Sequence, residues 1–136
     1  MAGVLRDRAW ASAHNGQVDK ELLFGARARV LADLQARDLA TAGAVSALED
    51  SISAREWWAS QWPGEGGAVY VAGLVAQDVQ DVLLETLGRW PLCLHCPGPE
   101  HSLYIAPDLG GPDPVWVCEE SGDVVAPLGD LARWTP

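Results

Sequence analysis

Lysine is almost absent from this sequence: Lys20 is the one example, and arginine supplies the other eight basic residues. The shortage is greatest in residues 63–136, which contain two basic side chains, Arg89 and Arg133, against eleven acidic ones. That half therefore carries −9 of the net charge of −10. Because such a surface repels the phosphates of a nucleic acid, the charge pattern disfavours nucleic-acid binding. It favours simple solubility, a basic partner, or an acidic surface that mimics a nucleic acid.

Long apolar runs are missing as well. No run of consecutive apolar residues approaches the roughly eighteen that span a membrane, so we expect no membrane contact. Residues 1–8 lack an apolar segment followed by a cleavage site, which predicts no secretory signal and a cytoplasmic protein. Cysteine occurs three times, an odd number that a small secreted fold would not pair completely. In a reducing compartment, thiols clustered with histidines more often bind a metal.

The first half of the chain has the spacing of two amphipathic helices. Apolar residues recur at three, four and seven positions from Gln17 to about Ala40, which predicts the first helix. Residues 41–43 break the pattern. Ser46-Ala-Leu-Glu49 has the form of a capping box, so we expect a second helix from there to about Trp62, before Pro63-Gly64. The two would form a helical hairpin over residues 1–63.

A glycine-rich link at 64–67 separates this hairpin from a second predicted unit, residues 68–136. Val69 to Leu87 has the apolar stripe of a third helix, and Gly88 follows it as a C-terminal glycine should. Segments 103–105, 115–118 and 123–126 are short and rich in β-branched or aromatic residues, which is typical of strands. The predicted fold class is α+β, with a small zinc-ribbon-like antiparallel β unit after the helices.

All three cysteines and two of the three histidines lie between residues 93 and 118. Zinc takes four nitrogen or sulfur ligands in a tetrahedron, and two cysteines separated by two residues form one half of such a site. Cys93 and Cys96 have that spacing, Cys118 would be the third ligand, and His101 is the natural fourth. These four side chains are the predicted ligands of a structural zinc ion.

The sequence leaves two other interpretations open: a different set of ligands, and a fold without metal. Ser121 stands where a zinc ribbon has its fourth cysteine, and serine is a poor ligand near neutral pH. His95 is a spare nitrogen that could pair with Cys93 in place of a proposed ligand. The other interpretation is a metal-free hairpin in which the cysteines are small buried hydrophobic residues.

The second half resembles the C-terminal module of short uncharacterised proteins of actinobacteria. The resemblance rests on Trp90-Pro91, Cys93-x-x-Cys96, His101-x-Leu103, Trp116-x-Cys118 and a Val125-Ala-x-x-Gly-x-Leu131 ending. It covers about half of the chain, from roughly Val71 onward. It supports the same four ligands, leaves His95 outside the set, and implies no activity.

Other residues could carry different functions. Asp78, Asp81 and Glu85 share one face of the third helix, where carboxylates could do acid–base work or hold a cation. A solvated helix face is the more common role of such a pattern. Trp116 or Tyr104 could stack on a nucleic-acid base, although basic neighbours are scarce. His14 has no partner motif, and we expect it at the surface.

Three tryptophans, Trp57, Trp58 and Trp62, crowd the end of the second helix and form a candidate protein interface. Adjacent residues on a helix diverge by about 100°, so Trp57 and Trp58 cannot both face one core. Trp57 is closer in register to Leu48 and Ile52, which predicts that Trp58 is the exposed ring.

The sequence therefore predicts a non-enzymatic protein-interaction or assembly subunit, stabilised by structural zinc, that binds another protein or itself. A small metal-dependent enzyme is the alternative, and a nucleic-acid-binding zinc ribbon is the less favoured one.

Overall fold

Three helices precede a three-stranded antiparallel sheet, which confirms the predicted α+β class. The computed structural model describes residues 20–62 and 66–134. His14 and Gln17, the predicted start of the first helix, lie outside the described residues. The helices are α1 (Lys20–Ala36), α2 (Ala42–Ser60) and α3 (Val71–Thr86), and the strands are β1 (Leu103–Ala106), β2 (Val115–Cys118) and β3 (Val124–Pro127). Short 3₁₀ helices at Gly66–Tyr70 and Leu131–Trp134 precede α3 and follow β3.

The connection between α1 and α2 differs from the prediction at both ends. The chain leaves α1 through Asp38, whose φ of 56° is left-handed, and the Leu39 amide donates to the Leu34 carbonyl at 2.9 Å. Thr41 then caps α2, because its hydroxyl accepts from the Ala44 amide at 3.1 Å. The predicted capping box at Ser46 is wrong: that residue lies inside a helix that an earlier hydroxyl already begins.

The third helix agrees more closely with its prediction. A 3₁₀ helix leads directly into α3, so Gly66 and Gly67 belong to the helical segment rather than to the predicted link. Gly88 has a φ of 115°, and its amide donates to the Leu83 carbonyl at 2.7 Å. This left-handed residue ends the helix as the sequence predicted.

One segment of the described chain, Gly66–Thr86, is long and apolar enough to cross a membrane by length and composition alone. A count of consecutive apolar residues misses it because Gln77 and Asp78 interrupt the run. Half of the segment is buried inside the structure, with Val75, Val79 and Leu83 in the core. The core helix of a globular domain meets the same criteria, so the segment is weak evidence for a membrane.

The sheet has the order β1-β2-β3, and both pairs are antiparallel. Leu103 lies opposite Cys118 at one end of the β1–β2 pair. A register shift between Trp116 and Val117 bends the pairing of β2 with β3. On the helical side, the Gln80 amide of α3 donates to the Leu103 carbonyl at 2.9 Å, which attaches β1 to that helix.

Buried residues from the helices and the strands form one continuous hydrophobic cluster. At its centre, Trp90 and Trp116 meet edge to face with ring centroids 5.4 Å apart. Asp33 of α1 is fully buried beside them, and its carboxylate accepts from the Trp116 indole at 2.7 Å and from the Gly129 and Leu131 amides. The predicted division into residues 1–63 and 68–136 stays a prediction.

Candidate metal centre

Two turns at one end of the sheet bring the four predicted ligands together. The Cys93 amide donates to the His101 carbonyl at 2.9 Å, and Leu92 bridges to Ser102. This short antiparallel ladder places the turn with Cys93 and Cys96 at its tip. Cys118 is the last residue of β2, across from Leu103, so the second turn lies beside the first.

The ligand atoms of Cys93, Cys96, His101 and Cys118 all lie within 4.8 Å of one another. The Sγ atoms of Cys96 and Cys118 are 3.6 Å apart, and Cys118 Sγ is 3.4 Å from His101 Nε2. A tetrahedral zinc ion with ordinary bond lengths needs about 3.8 Å between sulfurs and about 3.5 Å from sulfur to nitrogen. The side chains therefore fit a tetrahedral ion, and three cysteines with one histidine are a donor set that suits zinc.

His101 is held with one ring nitrogen free for this role. Its Nδ1 lies 3.0 Å from the Pro99 carbonyl oxygen, and a ring nitrogen facing a carbonyl must carry the hydrogen. The Nε2 atom points toward Cys118 Sγ and is the ring nitrogen that can bind a metal once its proton has left. A backbone carbonyl that orients a histidine in this way is the usual partner of a metal-binding imidazole.

The turn after Cys118 supports its sulfur. The Ser121 amide donates to Cys118 Sγ at 3.4 Å, and Gly122, with a φ of 77°, donates to the Cys118 carbonyl at 2.9 Å. The Ser121 hydroxyl accepts from the Asp123 amide at 3.2 Å. Serine at this position therefore stabilises the turn by a hydrogen bond of its own.

The proximity of these groups shifts their pKa values in opposite directions. Hydrogen bonds from Ser121 lower the pKa of Cys118 to about 6, whereas hydrogen bonds with Cys118 and Cys93 raise the pKa of Cys96 to about 11. The hydrogen bond to the Pro99 carbonyl raises the pKa of His101 to about 9. In the protein without metal, a Cys118 thiolate therefore faces a His101 imidazolium at neutral pH, and thiolate is the form that binds metals.

His95 lies outside this group. It is exposed, and its Nε2 atom is 3.2 Å from the Trp134 carbonyl oxygen. It lines a cleft of about 380 Å³ together with all three cysteines. We call this the knuckle cleft. Its walls are His95 and Pro97 from the first turn, Ser121 and residues 123–125 from the second turn and β3, and Trp134 from the last 3₁₀ helix. The sequence prediction did not find it, because Trp134 belongs to no motif.

The carboxylates on α3 do not form a second site. Within the described ranges, the Cys/His group is the one set of three or more such side chains close enough to hold an ion. Asp78 faces α2, where it accepts from both Arg55 nitrogens at 2.8 and 2.7 Å and from the Ser51 hydroxyl at 2.7 Å. Asp81 and Glu85 are exposed. The solvated-face interpretation therefore holds for the last two and is wrong for Asp78.

Trp116 cannot stack on a base, which corrects that part of the nucleic-acid alternative. The ring is fully buried, and its indole donates to Asp33. Tyr104, by contrast, is exposed on β1.

The three interface candidates, two in the last turn of α2 and Trp62 just after it, differ in exposure. Trp57 is 68% exposed, so the prediction that Trp58 is the exposed ring is wrong. Trp58 packs against the core and against Trp62, with centroids 5.1 Å apart, and Trp62 also contacts Tyr70. The prediction failed because the face of α2 that turns inward carries two polar residues, Ser51 and Arg55. Trp58 lies on that same face, which an apolar pattern does not reveal.

A sequence profile described as a domain of unknown function (DUF8819) matches residues 19–128. The match covers most of the chain and includes every proposed ligand, so the protein belongs to this family. No curated protein matched, and no solved structure did either.

Proposed function

We propose that this member of the DUF8819 family is a non-enzymatic protein-interaction subunit whose β unit is stabilised by a structural zinc ion. The observation that carries the proposal is the set of three sulfurs and one imidazole nitrogen within 4.8 Å of one another. Four protein ligands complete a tetrahedron, and a zinc ion with a complete protein shell has a structural role. Its compartment, on this proposal, is the reducing cytoplasm.

When bound, the ion joins the two turns and adds its binding free energy to that of folding. Residues of the chain itself orient the ligands and hold the two turns in position. The Pro99 carbonyl orients the imidazole, and the amide of Ser121 supports the Cys118 thiolate. Cys93 and Cys96 hold the opposite turn, which the hydrogen bond between Cys93 and His101 aligns with the sheet.

Metal content tests the first part of the proposal. Protein purified without added metal should contain about one equivalent of zinc by elemental analysis. Cys118→Ala should contain little, because three ligands bind far more weakly than four. Ser121→Ala is the matched control: it keeps the backbone amide that supports Cys118, and we expect full occupancy. Substoichiometric zinc in wild type and Cys118→Ala alike would refute the zinc site.

The interaction role rests on charge and on Trp57. The second half of the chain is strongly acidic, and an exposed tryptophan is a frequent anchor of protein interfaces. If Trp57 joins two copies, the wild type should self-associate at high micromolar concentration in analytical ultracentrifugation. Trp57→Ala should weaken that association by about tenfold or more, because a large ring is lost from the contact.

Leu109→Ala is the control for that experiment: Leu109 is 65% exposed on the loop between β1 and β2, and its loss should leave self-association unchanged. A wild type that stays monomeric at the same concentration would exclude self-association through Trp57. The interface would then belong to a different protein.

A small metal-dependent enzyme is the second candidate. The knuckle cleft favours it because three of the proposed ligands line the cleft, where a substrate could approach the ion. Catalysis would need an open coordination position. Cobalt substitution distinguishes the two functions. A closed site should keep its visible spectrum when azide is added, whereas a catalytic site should change it.

A further inference from the structure

We propose that the knuckle cleft binds an arginine side chain of a partner protein, with the guanidinium on the Trp134 ring and paired with the Asp123 carboxylate. This inference rests on the proposed interaction function and names the surface and the chemistry of the partner. It uses no residue of the ligand set as a binding group. All three cysteines also line the cleft, as ligands of the proposed ion rather than as contacts of the arginine.

Three separate parts of the chain build this cleft. The first cysteine turn contributes His95, the start of β3 contributes Asp123 and Val124, and the last 3₁₀ helix contributes Trp134. The contact of His95 Nε2 with the Trp134 carbonyl, at 3.2 Å, joins two of the walls. Because the walls are attached to one another and to the sheet, the cleft is a preformed feature of the fold rather than a gap between loops.

Its size and lining suit one long side chain. A volume of about 380 Å³ is near the lower end of ligand sites, which run from about 300 to 1,000 Å³. Val124 and Trp134 are 65% and 49% exposed, so apolar surface is available for the methylene groups of an arginine. Binding would cover this surface.

The charges around the cleft favour a positively charged group at the end of the bound side chain. Among residues 20–62 and 66–134, no lysine or arginine lines the cleft, and the Asp123 carboxylate makes no hydrogen bond or ion pair with another of these residues. Glu119 and Glu120 lie in the same turn. Arg133 is nearby along the chain, but its guanidinium is 3.7 Å from the Asp130 carboxylate. A cationic guest is therefore favoured, and an anionic one is repelled.

Arginine is favoured over lysine by the tryptophan wall. A guanidinium is planar and weakly hydrated, so it stacks on an indole and pairs with a carboxylate at the same time. An ammonium group keeps more of its water in that position.

The test uses the full-length, zinc-loaded protein and a capped peptide, acetyl-Ala-Arg-Ala-amide. Its control is the same peptide with citrulline, which has the shape of arginine without the charge. In an amide NMR titration, the arginine peptide should shift the Trp134 indole and the Asp123 and Val124 amides. The citrulline peptide should bind about fivefold more weakly or worse.

Two pairs of variants separate the cleft from general charge. Asp123→Asn and Trp134→Ala should each weaken binding of the arginine peptide by about fivefold. Asp113→Asn removes the same charge from the exposed loop between β1 and β2, and Phe24→Ala removes an exposed ring from α1; both should stay within about twofold of wild type.

Several results would overturn the inference. They are equal binding of the two peptides, equal weakening by Asp123→Asn and Asp113→Asn, and no shift at Trp134 at millimolar peptide. Zinc content is measured on every sample. Loaded, folded protein that binds no arginine peptide refutes the cleft while the zinc site stands, whereas protein without zinc refutes the proposed function.

Discussion

At the scale of single residues, Asp33 links parts of the chain that are far apart in the sequence. It joins α1 to β2 and to the chain after β3, and it accepts three hydrogen bonds although it is fully buried. Burial raises the pKa of its carboxyl, and the bonds from Trp116, Gly129 and Leu131 oppose that rise. An apolar stripe does not predict such a residue, because its donors lie 83 to 98 positions further along the chain.

We expect Asp33→Asn to destabilise the fold by about 3 kcal/mol, because the amide NH₂ would face hydrogen-bond donors in a buried site. Urea unfolding monitored by circular dichroism measures the change. Asp38→Asn is the matched control. Asp38 is exposed with a left-handed φ of 56°, which asparagine adopts readily, so its stability should change by less than about 0.5 kcal/mol. Equal effects of the two substitutions would contradict the role of Asp33.

The ligand side chains predict how metal affinity depends on pH. The pKa of Cys96 is raised to about 11 and that of His101 to about 9, so both carry a proton at pH 7 that a metal must displace. The pKa of Cys118 is lowered to about 6, so its sulfur is already a thiolate there.

Zinc affinity should therefore rise with pH between 7 and 8, with at least about two protons released per ion. Calorimetry in buffers of different ionisation enthalpy counts these protons. In His101→Ala, the proton that the imidazole contributes should be missing from the count. Affinity that does not change between pH 7 and 8 would contradict the proposed ligands.

At the scale of elements, α3 is packed closely on two sides. Arg55 and Ser51 of α2 bind Asp78. On another face, Gly73 approaches the loop between β1 and β2, and a Cβ at Gly73 would lie 2.6 Å from the Gly110 Cα. The Gly110 amide donates to the Pro107 carbonyl at 2.7 Å, and its φ of 84° suits glycine, so the loop is held in this position.

Gly73→Ala should destabilise the protein by about 2 kcal/mol, because the added methyl group meets backbone atoms that are held in place. Thermal unfolding measures the effect. Gly43→Ala is the control within another helix: its added Cβ has open space around it, and we expect a gain of about 0.5 kcal/mol or more from helix propensity. A neutral Gly73→Ala would mean that the close approach of α3 to this loop is wrong.

At the scale of the whole molecule, the sheet is held in two ways. One side shares the core with α1 and α3 through Trp90 and Trp116. At the other end, the two cysteine turns meet through the cysteine and histidine side chains that could hold a metal ion. On the proposed function, loss of the ion should loosen that end first.

A strong chelator should raise amide hydrogen exchange by about tenfold or more in residues 91–103 and 116–125, because zinc binding contributes to the folding free energy there. Exchange in α1 and α2 should change much less, since their contacts do not involve the ligands. Mass spectrometry of exchanged peptides measures both regions. Unchanged exchange around the cysteines after zinc removal would show that the ion has no structural role.

The sequence predicted those features of the fold that depend on neighbouring residues better than those that depend on distant ones. The helices and strands follow from local periodicity, and Gly88 ends α3 where its position predicted. The four candidate ligands could be selected because a two-residue cysteine spacing reflects the geometry of a tight turn. The start of α2 was predicted wrongly because Thr41 caps the helix before Ser46 is reached.

The sequence by itself determined the fold class, the order of the elements and the group of four cysteine and histidine side chains that the turns bring together. Only the tertiary structure decided that Trp57 is exposed, that Asp33 and Asp78 are bound by other elements, and that Trp134 lines a cleft together with the cysteines. The physical reason is that backbone periodicity is local. Polar contacts and clefts, in contrast, require side chains that are far apart in the sequence to meet in the folded chain.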